Sequence, residues 1–163
     1  MCGAPGSGKS TWLRKNMPKD AIKVSRDEIR FNLIKDNEPY FSKETAVFNE
    51  FVRQINAAIA DDKDVFADQT SLNRGSRAKL INKLDPKPDE TTVVFIDKPL
   101  DIILKYNAKR SGRERVPDEV VEKMFNSIQI PKREEGIDKL LVVRRNKPDL
   151  LINLEEGETY ERN

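Results

Sequence analysis

Gly3-Ala4-Pro5-Gly6-Ser7-Gly8-Lys9-Ser10-Thr11 stands at the start of the chain and fits the phosphate-binding pattern G-x-x-x-x-G-K-[ST] without a mismatch. Glycines in such a P-loop let consecutive backbone N–H groups turn inward on phosphate oxygens. Lys9 is then in reach of the β- and γ-phosphates of a nucleotide, and the Ser10 hydroxyl is a candidate Mg²⁺ ligand. All nine residues from Gly3 to Thr11, with Ala4, Pro5, Gly6, Ser7 and Gly8 between them, form the expected nucleotide-binding set. Thr11-Trp12-Leu13 begins an apolar, helix-competent run, so the loop ends on the positive end of a helix dipole. A P-loop ordinarily follows a hydrophobic strand. Only Met1 and Cys2 precede Gly3, so the first strand of the sheet is expected to be nearly absent from this chain.

Outward from the loop, short β-type runs alternate with helical stretches, the pattern of a parallel α/β sheet. The strand-like runs are Ala21–Val24, Val65–Ala67, Thr92–Ile96 and Leu140–Val143. Between the first two, Val47, Phe51 and Ile55 recur at i+4 with Phe48, Val52, Ala58 and Ile59 on adjoining rows, which reads as a helix with a core stripe. Asn73 is placed to cap a helix carrying Leu80, Ile81 and Leu84, and Asp85-Pro86-Lys87-Pro88 breaks it. Pro99 and Pro117 each start a further helix. The predicted fold is α/β: a three-layer P-loop NTPase with a parallel sheet of four to five strands and helices on both faces. Residues 1–145 read as the domain and 146–163 as a loosely held polar extension, with a short 150–154 segment packed on its edge.

Composition narrows the chemistry. The 163 residues suffice for one domain with a real core, and 36% charged residues at a net charge of +2 describe a solvated surface of mixed sign. The single cysteine excludes an internal disulfide and suits a reducing cytoplasm; beside the P-loop, Cys2 reads as a small buried filler. Histidine is absent, which removes His-based triads and His-ligated zinc and leaves carboxylates, lysine or water as general bases. No apolar run reaches membrane-spanning length and no signal segment precedes the P-loop, so a cytoplasmic location is expected.

In open parallel sheets, sites form beyond the carboxyl ends of the strands. After Val24 comes Ser25-Arg26-Asp27-Glu28-Ile29-Arg30, where Ser25 and Glu28 make an S-x-x-E capping box. From spacing alone Asp27 serves equally as a helix-dipole acid or as a functional carboxylate, and Arg30 shares its helical face. After Ala67 comes Asp68-Gln69-Thr70-Ser71. An acid there holds Mg²⁺ through water, orients an arginine, or simply makes a turn. Asp97 reads more readily as a turn or capping acid. Lys109-Arg110-Ser111-Gly112-Arg113-Glu114-Arg115-Val116-Pro117, with Gly112 as a hinge, reads as a basic lid that closes on phosphates.

These pieces, in this order, resemble the kinase domain of phage-type polynucleotide kinase and the wider group of small P-loop kinases that includes zeta toxins. The likeness covers most of residues 2–140 and rests on GAPGSGKSTW, SRDEIR, ADQTSLN, FIDKPLDIILKYNAKR and RVPDEVVEKMFNS. It implies that Asp27 is the general base for an acceptor 5′-hydroxyl and that Arg30 binds the acceptor's phosphate. It further implies that Asp68 supports Arg30 or the metal shell, that Thr70 contacts substrate, and that Arg110 is the lid arginine on the donor phosphates, with Arg113 and Arg115 beside it. Lys9 joins Asp27 and Arg110 as catalytic, and Ser10 with Asp68 would hold the metal. Members usually carry Asp-x-Thr-Asn or Asp-Thr-Asn at the third strand, whereas Ser71 follows Thr70 here. No D-x-D-G-T phosphatase motif follows Val143, which implies a kinase-only unit.

The expected activity is transfer of the γ-phosphoryl group of ATP or another NTP, with Mg²⁺, to the 5′-hydroxyl of DNA or RNA, a role suited to nucleic-acid repair. Two alternatives stay open: a kinase of the same fold acting on a nucleoside, sugar or nucleotide sugar, and a non-catalytic nucleotide-binding module. Convergence of Arg30, Lys35, Lys43, Arg53, Arg74 and Arg77 into one groove would favour a nucleic-acid acceptor.

Overall fold

The computed structural model describes residues 1–35, 37–112 and 115–162. The four apolar runs become parallel strands: β1 (Ile22–Ser25), β2 (Val65–Asp68), β3 (Thr92–Asp97) and β4 (Lys139–Arg144). β1 pairs with β2 in register Ile22 to Val65, and β3 with β4 in register Thr92 to Lys139. Residues 1–3 join these two ladders. The Met1 nitrogen donates to Ala67 O (3.1 Å), the Cys2 N–H to Val94 O (2.7 Å), and Cys2 O accepts from the Ile96 N–H (2.9 Å). Cys2 forms a parallel bridge with Phe95, so the stub lies between β2 and β3. These residues hold the place in the sheet from which the P-loop issues.

The short 150–154 segment expected on the domain edge adds an antiparallel strand to the four parallel ones. β5 (Leu150–Asn153) returns antiparallel on β4, pairing Lys139 with Asn153. The cause is local: Asn146 takes a positive φ of 55° and the Arg144 guanidinium holds Pro148 O at 2.8 and 3.2 Å. A tight turn of this length can only produce an antiparallel neighbour. The polar tail beyond it is also not loose. Tyr160 Oη donates to Asp97 Oδ2 (2.6 Å) and Arg162 Nε to Asp97 Oδ1 (2.9 Å), while the Arg162 guanidinium lies 3.9 Å from the Phe125 ring centre. Polar composition suggested a solvated strand of chain, but two of its side chains, Tyr160 and Arg162, meet specific partners.

Helices α1 (Lys9–Asn16), α2 (Arg26–Leu33), α3 (Glu44–Ala60), α4 (Arg74–Ile81), α5 (Leu100–Asn107) and α6 (Asp118–Asn126) cover the sheet. On α3 the i+4 stripe Val47, Phe51, Ile55 is buried against Val24, Ile29 and Leu84. On β3, Val93 and Phe95 pack with Cys2, Leu140, Val142 and Ile152, while Val94 and Ile96 are buried on the opposite side, as period-2 alternation requires. Ala4, Ile103 and Val121 form a smaller cluster that seats α5 and α6 against the P-loop. Cys2 is fully buried in the core, and burial pushes its thiol pKa up, away from thiolate chemistry.

Candidate active site

The P-loop is held from behind by backbone. A β-carbon on Gly6, whose φ is 81°, would lie 2.8 Å from Ile103 O, so α5 packs against the loop at a distance only glycine allows. Gly8, at φ 102°, is the residue before α1, and a β-carbon there would lie 2.9 Å from Lys98 Nζ. No side chain caps α1 among the described residues, which leaves its first N–H groups for a ligand. Ser7 Oγ is buried with no hydrogen-bond partner among the described residues. An open helix end, an orphaned hydroxyl and a loop cleared of β-carbons fit a polyphosphate.

Lys9 Nζ donates to the loop's own carbonyls, Gly3 O at 2.8 Å and Ala4 O at 3.1 Å. Burial pulls its pKa down from 10.5 to about 8, with Asp68 and Asp27 acting upward and Arg110 downward. These four groups, named from the sequence, therefore share one electrostatic field. Asp68 ends β2 opposite Ser25, and the Gly3 N–H donates to Thr70 O (3.3 Å), tying the loop after β2 to the P-loop. Ser10 and Thr11 are exposed at the start of α1. Among the described residues no group of three or more His, Cys, Asp or Glu gathers as a cation cage. Mg²⁺ does not require one, since it keeps waters and takes one or two protein oxygens plus substrate phosphates. Ser10 with Asp68 matches that donor set.

Ser25 caps α2, accepting from the Glu28 N–H at 3.4 Å, but the Glu28 carboxylate pairs with Lys23 rather than closing the box. Asp27 sits in the first turn. Arg30 Nη1 and Tyr40 Oη (3.0 Å) both donate to its Oδ1, which leaves Oδ2 without a protein partner among the described residues. Arg30 is buried and spans the cluster: its Nε donates to Glu44 Oε1 (2.7 Å), its Nη1 to Tyr40 Oη (3.0 Å), and its guanidinium lies 4.6 Å from the Tyr40 ring centre. Arg26 holds the other Glu44 oxygen at 2.8 Å and Gln69 Oε1 at 3.2 Å. Burial raises the Glu44 carboxyl, but its hydrogen bonds to the two guanidiniums outweigh it and leave the pKa lowered. Arg30 thus takes its support from Glu44 and Tyr40, so that of the two roles the resemblance implies for Asp68, supporting Arg30 or the metal shell, the first falls to other residues here.

Tyr40, Glu44 and Lys98 are the residues that sequence reasoning missed. Only the run Pro39-Tyr40-Phe41 hinted at them, as an aromatic pair in an otherwise polar connection. The Phe48 ring, read as core alone, also carries the Arg26 guanidinium at 5.5 Å.

The two ends of the basic segment between α5 and α6 are tied together. Asn107 is fully buried, its Nδ2 donating to Val116 O (2.6 Å) and Asp118 Oδ1 (3.1 Å) and its Oδ1 accepting from the Val116 N–H (3.3 Å). Gly112 takes a positive φ of 56°, a conformation glycine adopts without steric cost. Arg110 lies close enough to Lys9 to act on its proton; Arg113 lies outside the described residues. Two of the six basic residues named for a groove are engaged elsewhere. Arg77 is buried in a two-pronged pair with Glu135 (2.6 and 2.9 Å), and Arg53 pairs with Glu50 beside a cavity at the amino end of β1.

A second cavity of about 350 Å³ opens over the carboxyl ends of β3 and β4, lined by Asp97, Lys98, Phe125, Arg144, Tyr160 and Arg162 among others. It flanks the P-loop through Lys98, on the side away from Asp27 and Arg30.

Known proteins place this geometry. A chain of the Pnkp1/Rnl/Hen1 RNA repair complex superimposes with a TM-score of 0.66 at 24% identity, over 77% of this chain and 42% of that one. A sugar kinase from Janibacter sp. HTCC2649 does so at 0.62 and 15% identity, over 90% and 84%. Likenesses at these identities speak for the fold. Transcription factor bHLH140 of Arabidopsis thaliana is 26% identical over 146 residues, which is 86% of this chain, and the chain spans only 15% of that relative. Residues 1–131 match the AAA domain family, and with most of its length inside that match the chain belongs to this family, carrying the fold of P-loop kinases.

Proposed function

We propose that this protein transfers the γ-phosphoryl group of ATP, with Mg²⁺, to the 5′-hydroxyl of a DNA or RNA strand. The observation that carries the reading is Asp27: an exposed carboxylate gripped on Oδ1 by Arg30 and Tyr40, with Oδ2 left over, on the opposite side of the P-loop from the Lys98 cavity. In-line transfer needs acceptor and leaving group on opposite sides of the γ-phosphate. In this reading the acceptor hydroxyl approaches Asp27 and the donor's nucleoside extends toward the cavity over β3 and β4.

Lys9, the α1 N-terminus and Arg110 bind and neutralise the donor phosphates. Ser10 directly, and Asp68 through water, would hold Mg²⁺, which offsets charge on the β- and γ-oxygens. Asp27 Oδ2 accepts the proton of the acceptor hydroxyl as the acceptor's 5′ oxygen bonds to the γ-phosphorus and the bond from that phosphorus to the departing nucleoside diphosphate breaks. Arg30 fixes the Asp27 carboxylate and meets the acceptor's phosphate, and Thr70 borders the acceptor. Residues 1–145 make the kinase unit, with 146–163 extending its sheet edge. One buried cysteine suits a reducing cytoplasm, and no helix among the described residues is long and apolar enough to cross a membrane.

Asp27→Ala is expected to keep nucleotide affinity while kcat falls about 100-fold or more. Near-wild-type turnover would refute the base assignment. A second reading, phosphorylation of a small metabolite, is favoured by the sugar-kinase likeness over nine tenths of the chain and by the diversion of Arg53 and Arg77 from the groove.

A further inference from the structure

Phe41 is the most exposed of the large apolar side chains among the described residues, at 69%. Neither of the hydrophobic clusters that pack against the sheet includes it. It is nevertheless fixed in orientation. Its ring meets the Tyr40 ring edge-on, with centres 4.8 Å apart at 90°, and the Arg30 guanidinium lies 5.6 Å from its centre. Phe31, 42% exposed, meets Tyr40 from another direction at 6.0 Å and 67°. Tyr40 is thus the hub of three rings, and its hydroxyl is the group that grips Asp27 Oδ1.

A hydroxyl presented to Asp27 has its attached body beside this hub. Most of the hydrogen-bonding capacity nearest that body is already committed: Arg30 gives Nε to Glu44 and Nη1 to Asp27 and Tyr40, which keeps only Nη2 for the acceptor's phosphate in this reading, and Tyr40 gives its hydroxyl to Asp27. A small sugar needs convergent, available hydrogen-bond partners. The neighbourhood instead supplies an open aromatic face, which a flat base covers regardless of its identity. We propose that Phe41 is the stacking platform for the 5′-terminal base of the acceptor strand, making it a specificity-determining residue for single-stranded ends. The proposal rests on the reading of this site as a 5′-hydroxyl kinase.

The test compares two 5′-hydroxyl oligonucleotides that differ only in whether the terminal residue carries a base or is abasic, phosphorylated with ATP and Mg²⁺ by wild type, Phe41→Ala and Phe41→Trp. Base–aromatic stacking corresponds to roughly fivefold to a hundredfold in affinity. Wild type and Phe41→Trp should lose about tenfold or more in kcat/KM on removal of the base. Phe41→Ala should lose a similar factor on the intact strand and show no further loss on the abasic one. Because Phe41 is exposed, its thermal unfolding should match wild type. Equal sensitivity to the base in wild type and Phe41→Ala, or full activity of Phe41→Ala on the intact strand, overturns the platform while leaving the kinase reading intact. Failure of wild type to phosphorylate either strand overturns both.

Discussion

Lys9 is an ammonium that folding buries and a polyphosphate would stabilise. Its pKa near 8 lies below the unfolded value of 10.5, so between those limits the unfolded chain retains a proton the folded one releases, and stability rises with pH across that window. Nucleotide binding should run the other way. The polyanion favours the charged form, so binding at pH 8.5 should take up protons, and affinity should fall as pH climbs above about 8. Calorimetry in buffers of different ionisation enthalpy measures the uptake; zero uptake would mean that Lys9 does not meet the phosphates. Asp27 stayed open from its turn alone, as a helix-dipole acid or a functional carboxylate, and only the family resemblance favoured the second; Lys9 was legible in sequence because its loop pattern defines its chemistry. Tyr40 and Glu44 were not. They reach Arg30 from a connection and from the first turn of another helix, and no spacing along the chain encodes that contact.

At the scale of elements, α4 separates a structural arginine from an exposed one. Arg77 Nε and Nη2 hold Glu135 from a buried position, and Nη1 holds Ser71 O at 3.0 Å, so the helix is tied to the turn at Arg133–Glu135 and to the loop after β2. Arg77→Met leaves the Glu135 charge buried and uncompensated, and should cost about 3–5 kcal/mol in urea unfolding. Arg74→Ala, exposed at the start of the same helix, should stay within about 0.5 kcal/mol. Equal effects would show that the Arg77 pair does not anchor α4. The strands were legible from apolar runs to within a residue at most ends, and Asn73 was legible as a cap. The capping box at Ser25 formed by half, because Lys23 on the preceding strand competes for Glu28. β5 was missed as an antiparallel partner because the turn geometry at Asn146, and not the apolar content of Leu150–Asn153, decides its direction.

At the scale of the whole molecule, the order of strands assigns the two halves of the proposed reaction. The Asp27–Arg30–Tyr40 cluster stands over β1 and β2, the P-loop issues from the stub between β2 and β3, and the Lys98 cavity stands over β3 and β4. A sequence names the residues of each half but not their sides, because strand order depends on which edges pair. The stub illustrates the point: with two residues before Gly3, its central place is visible only through the bonds of Met1 and Cys2 to β2 and β3. The central claim is that the acceptor half takes a nucleic-acid end. Incubating the protein with labelled ATP, Mg²⁺ and a panel of 5′-hydroxyl oligonucleotides, nucleosides and sugars tests it most directly. The account predicts label on the 5′ end of oligonucleotides and on nothing else, and label confined to a nucleoside or a sugar would contradict it.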